Sequence, residues 1–147
     1  MNIELRVATL EDAELAYRLR DSDKDEIYHS GYDDIFEGFS QSILQSDHAW
    51  AVLDNGVVEG MTGVTEMADG SGVLWAMSSK ELISRPERFT YAADLFFEKL
   101  VNFNHLHNYV CSSNIVHIRW LQKMGFTIEF DNFVVPRDVP FFYFTRG

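Results

Sequence analysis

The chain offers few side chains that can do chemistry near neutral pH. His117 is one of five histidines, and an imidazole can accept or donate a proton under ordinary conditions. Cys111 is the single cysteine, so it cannot form an intrachain disulfide or build a zinc site alone. As a thiolate it would need a cationic neighbour such as His117; otherwise it is a small buried hydrophobe. Lys80, Arg85 and Arg88 gather around a helix start, where arginine can hold a phosphate through two parallel N–H donors. The plainer reading of the same residues is a capped helix with surface cations. Glu66 ends a strand-like run and is an exposed turn acid unless a proton-transfer partner lies near it.

These residues need a frame. Ile3, Leu5 and Val7 alternate with polar residues and predict a strand over about 3–8. Thr9 followed by Glu11 and Asp12 predicts a helix start, with Leu15, Ala16 and Leu19 as its apolar stripe. The acidic run 21–25 reads as a solvated loop, and 33–45 as a helix carrying Ile35, Phe36, Phe39, Ile43 and Leu44. Ala49–Leu53 and Val57–Thr65 read as strands joined at Asp54-Asn55-Gly56, because Asn-Gly tolerates the positive φ of a two-residue hairpin loop. Val73–Met77 is a further strand. Ser84, Pro86 and Glu87 predict a capped start for a helix running to about Phe103. Tyr109–Cys111 reads as a strand, Asn114–Lys123 as a helix stopped by Gly125, and Phe126–Phe130 and Phe141–Thr145 as closing strands. One domain covers 1–147.

That order, with Asn114 followed at eleven and twelve residues by Gly125-Phe126, resembles the GCN5-related N-acetyltransferase (GNAT) superfamily. The opening Ile3–Asp12 is similar to the usual first strand and helix start. Asn108-Tyr109-Val110, Asn114, His117-Ile118-Arg119 and Leu121 also resemble the acyltransferase-like internal virion proteins of short-tailed bacteriophages.

The resemblance implies an α+β fold, a mixed and mostly antiparallel twisted sheet of about six or seven strands with four helices, in the order β-α-α-β-β-β-α-β-α-β-β. It implies acetyl-CoA or another acyl-CoA as cofactor and an amine, on a small molecule or a protein, as acceptor. The coenzyme would lie by Met77, Ser78 and Ser79, with Lys80, Arg85 and Arg88 toward its phosphates and Asn114 beside it. His117 and Glu66 are the candidate bases. No metal is implied. The family's glycine-rich phosphate loop has no counterpart in 80–88, and Leu121 stands where many relatives carry a tyrosine. A second reading therefore stays open: a scaffold without catalysis, acting in phage virion assembly or on a host protein.

Composition trims the field. The 147 residues carry a formal net charge of −11, with four basic against fourteen acidic residues in 1–60. A nucleic-acid binder needs a basic stripe, and none is present. No apolar run approaches a membrane span, and Met1–Arg6 lacks the pattern of a secretory signal. A cytoplasmic protein is expected.

Overall fold

A computed structural model describes residues 2–147. A seven-stranded sheet is ordered β1-β2-β3-β4-β5-β7-β6. Its strands are β1 Ile3–Val7, β2 His48–Asp54, β3 Val57–Glu66, β4 Gly72–Ser78, β5 Leu106–Cys111, β6 Thr127–Arg137 and β7 Val139–Arg146. Every neighbouring pair is antiparallel except β4 with β5, which a helical crossover makes parallel. The helices are a 3-10 helix Leu10–Arg18, then α1 Asp21–Ser30, α2 Ile35–Gln45, α3 Lys80–Ile83, α4 Pro86–Glu98 and α5 Ile115–Lys123. The expected mixed α+β architecture is present, with two more helical segments than the four expected. No described helix is long and apolar enough to cross a membrane.

Local chemistry explains most boundaries. Asn55 and Gly56 take φ of 52° and 81°, which closes the β2–β3 hairpin. Asp138, at φ 58°, turns β6 into β7. Thr9 N–H donates to Asp12 Oδ2 at 2.8 Å and starts the first helical segment, which is wound as 3-10 rather than α.

Three sequence expectations need correction. Residues 21–25 are not a loop: they open α1, because Ile27 is buried and carries Asp23, one turn earlier, inward with it. Ser84 does not cap the long helix. Arg85 occupies that position, and Ser84 closes the short α3, its Oγ donating to the Glu81 carbonyl at 2.8 Å. The long helix ends at Glu98 rather than near Phe103, as turns follow through 102.

The two faces of the sheet carry separate cores. Phe96 and Leu100, with Ile118 and Leu121 of α5, pack on Val64, Leu74, Val110 and Phe144. On the other face the 3-10 helix, α1 and α2 bring Leu15, Leu19, Ile27 and Phe39 onto Met61, with Trp75 and Met77 packed against them. β4 is therefore covered on both sides, and whatever separates it from β5 must pass between these two layers.

Candidate functional site

β4 and β5 pair only at Gly72↔Leu106 and Val73↔His107, and then diverge. Peptide groups alternate along a strand edge, so Leu74, Ala76 and Ser78 turn theirs toward the opening. Side chains replace the missing ladder. Asn108 Nδ2 donates to the Leu74 carbonyl and Asn108 Oδ1 accepts from Tyr109 N–H, both at 2.7 Å. Further along, α1 enters. Asp23 Oδ2 accepts from Ser78 N–H at 2.9 Å, and Glu26 Oε1 accepts from Cys111 N–H at 2.7 Å. The two carboxylates stand three residues apart on one helix face, so one satisfies β4 and the other β5. The Ala76 peptide groups lie between these rungs and meet no side chain among the described residues.

A buried polar knot holds this arrangement. Arg20, Asp23 and Asn114 are 8%, 2% and 0% exposed. Arg20 Nη2 donates to Asp23 Oδ1 at 2.7 Å and to Asn114 Oδ1 at 3.2 Å, while Asn114 Nδ2 donates to Asp23 Oδ1 at 3.1 Å. Arg20 N–H also donates to the Ser78 carbonyl at 3.1 Å. Asp23 is thus neutralised by a guanidinium and fully hydrogen-bonded, which is what a charge at that depth requires.

His117 projects from α5 into the same opening. Its Nδ1 lies 3.7 Å from Glu26 Oε2, beyond hydrogen-bond length. That nitrogen has no partner and no contact with solvent, and the same holds for Trp120 Nε1, three residues along the helix. Ligand atoms of Asp23, Glu26 and His117 fall within 4.8 Å of one another, a grouping that could accept a divalent ion. Arg20 already balances Asp23, however, which leaves only Glu26 Oε2 and His117 Nδ1 without a partner.

Two hollows meet at this point. One, of about 60 Å³, lies on the α4–α5 face among Leu82, Phe89, Ala93, Phe96 and Trp120. The other, of about 290 Å³, lies on the α1–α2 face among Ile27, Tyr32, Trp75, Tyr109 and Phe141. Ala76, Met77 and His117 line both, so the two hollows adjoin where the two strands diverge.

The residues singled out from sequence divide accordingly. Met77, Ser78, Asn114 and His117 converge on the opening. Ser79 is buried beside it, its hydroxyl donating to Glu59 Oε2 at 3.1 Å and accepting from Leu82 N–H at 3.2 Å. Lys80 is exposed and 3.9 Å from Asp21. Arg85 and Arg88 both pair with the buried Asp54 at the end of β2, Arg85 at 3.3 Å. Glu66 is not at the site. It pairs with Gly72 at the closed end of β4, six residues from Ser78 and so about 20 Å away along the strand. Asn114, although the N-cap residue of α5, uses its side chain in the knot rather than as a cap. Cys111 is fully buried, its Sγ 3.2 Å from Ser113 Oγ, and burial pushes the thiol's pKa up.

Sequence reasoning missed Arg20, Asp23 and Glu26. The available signal was Ile27: an aliphatic residue in a polar segment, if buried in a helix, draws Asp23 inward at i−4.

No family model matches the chain, and no curated protein does. Solved structures do. The structure of AAC(6')-Ib in complex with ribostamycin and coenzyme A is similar at a TM-score of 0.70 and 16% identity, over 99% of this chain and 93% of that one. The PaiA N-acetyltransferase of Thermoplasma acidophilum, in complex with coenzyme A, is similar at 0.65 and 19%, over 99% of each. A GNAT-family acetyltransferase of Streptococcus pneumoniae is similar at 0.62 and 15%, over 99% of this chain and 98% of that one. At such identities the likeness shows the fold alone, a GNAT-type mixed sheet.

Proposed function

We propose that the protein is an acyl-CoA N-acyltransferase, taking acetyl-CoA or another acyl-CoA from the α4–α5 face and an amine from the α1–α2 face. The observation that carries this reading is the divergence of β4 and β5, with hollows on both faces of the sheet that share Ala76, Met77 and His117. Two of the neighbours described above hold coenzyme A.

The residues suit the coenzyme unevenly. Along the opening, the free Ala76 peptide edge and the unpartnered Trp120 Nε1 offer hydrogen bonds to an extended amide-bearing arm. At the phosphate end no backbone cradle exists. Lys80 and Arg85 are the more exposed cations there, although Arg85 already pairs with Asp54, as the less exposed Arg88 does.

When bound, the coenzyme supplies an activated acyl group as a thioester. The chain's own part is proton handling and placement. His117 Nδ1 accepts the proton of the incoming ammonium. Glu26, held by Cys111 N–H, sets a carboxylate opposite the imidazolium that forms. Asp23 and Asn114 position these groups through the knot. Leu121 is buried in the core and donates nothing.

The test is release of free thiol from acetyl-CoA and longer acyl-CoAs in the presence of an amine panel. His117→Ala and Glu26→Gln are each expected to slow turnover by about 10²-fold or more. No turnover and no calorimetric binding at millimolar acyl-CoA would remove the enzyme reading.

A second reading has an observation of its own. Asp23 and Glu26 occupy two strand amides that a bound ligand would otherwise use, and Asp54 claims two of the three candidate phosphate cations. These commitments suit a GNAT scaffold that has left catalysis for phage virion assembly or for binding a host protein. Detection of the chain in purified virions by mass spectrometry, together with an inert thiol-release assay, is the expected outcome of that reading.

A further inference from the structure

The larger hollow says more about its occupant than that it is an amine. Among the described residues that line it, Glu26 is the only one with a fixed charge. Most of its other polar atoms are committed. Ser30 and Ser42 hydroxyls donate to the Ile27 and Gly38 carbonyls at 2.7 and 3.1 Å. Trp75 Nε1 donates to Ser46 Oγ at 2.7 Å, and both ends of Asn108 serve the two strands. Beyond the neutral hydroxyls of Tyr32 and Tyr109, Glu26 Oε2 and His117 Nδ1 remain, 3.7 Å apart.

We infer that this hollow takes a primary monoamine with an uncharged, apolar or aromatic body. The inference rests on the acceptor reading of that face. One carboxylate answers one ammonium. A second ammonium on the ligand would enter walls of Ile27, Trp75 and Phe141 with nothing to pair it, and a carboxylate would meet no cation. At about 290 Å³ the space sits near the lower bound of small-molecule sites, room for a body of roughly one aromatic ring.

Binding is measured by calorimetry and tryptophan fluorescence on the full chain, without acyl-CoA, using 2-phenylethylamine, spermidine and phenylalanine. Phenylethylamine is expected to bind at least about tenfold more tightly than either of the others. Glu26→Gln keeps an oxygen for Cys111 N–H and is expected to weaken phenylethylamine by about tenfold or more, the loss of one charge-assisted hydrogen bond. Ser42→Leu, intruding from α2, is expected to weaken it several-fold and serves if the first variant does not fold. Equal or tighter binding of spermidine or phenylalanine overturns the inference, as does unchanged affinity in a folded Glu26→Gln or Ser42→Leu protein. Monoamine binding without any thiol release would sink the enzyme reading and leave this one standing. Acyl transfer to spermidine alone would do the reverse.

Discussion

Asp23 is 2% exposed and carries a charge, a position that proteins tolerate only with full compensation. Its compensation is local: Arg20, Asn114 and Ser78 N–H all bond it, so the pair contributes fixed geometry more than net stability. Breaking it from one side is another matter. Asp23→Ala strands the Arg20 guanidinium at 8% exposure, and a loss of about 3–5 kcal/mol is expected in urea unfolding. Asp23→Asn keeps an acceptor for Ser78 N–H and is expected to lose less. A loss below about 1 kcal/mol for the alanine variant would mean that water reaches the knot. His117 shows the opposite condition, a buried nitrogen left unpaired, and such exceptions in a well-bonded interior mark places built for something else.

At the scale of elements, the opening between β4 and β5 is where two neighbouring strands part after two paired positions, whereas the irregularities in β2–β3 and β6–β7 interrupt ladders that then resume. Asn108 carries the transition, holding Leu74 on one strand and Tyr109 on the other. Asn108→Leu removes both rungs while keeping volume. It is expected to cost about 1–3 kcal/mol and to speed amide exchange at Tyr109 before any change at Val64. The strand and helix order that frames this opening was legible in the letters. Asn55-Gly56 fixes a hairpin by backbone conformation alone, and Ile118 with Leu121 fix the inward face of α5 by periodicity. Helix α1 was not legible. It has one buried aliphatic residue, Ile27, and its acids resemble a solvated face until the two strand amides they satisfy are known. Those amides are orphaned by strands far away in sequence, a tertiary need that no local pattern announces. The same cause hid the partner of Arg85 and Arg88. Their partner, Asp54, lies more than thirty residues upstream and becomes a neighbour only when β2 ends beside α4. Glu66 failed for a simpler reason: it is at the right strand's neighbour but at the wrong end of it.

Across the whole molecule, two groups at different places give stability separate pH windows. Asp12 accepts from Arg6 at 2.8 and 2.9 Å, and that bond chiefly holds its carboxyl below the usual range. A depressed carboxylate contributes stability that is present above its unfolded pKa of about 3.9 and is lost as pH falls further toward the folded value. His107 works in a higher window. It faces Ser71, His105 and Tyr143, with Asp69 nearby, and burial first, then His105, lowers its pKa. Because the folded chain takes up this proton less readily than the unfolded one, protonation favours unfolding as pH drops below about 6.5. The chain's net charge of −11 complicates any raw curve, since acid also relieves self-repulsion among the acidic residues. A difference measurement removes that background. His107→Gln retains a polar partner for Ser71 and nothing to titrate. Wild type minus variant, followed by urea unfolding from pH 8 to 5, is expected to be flat above pH 7 and to fall below it. The Asp12 contribution, common to both proteins, cancels throughout. A difference that stays level across the range would mean that His107 takes its proton as freely in the folded chain as in the unfolded one, and that the packing of β5 against Ser71 and Tyr143 does not exclude charge.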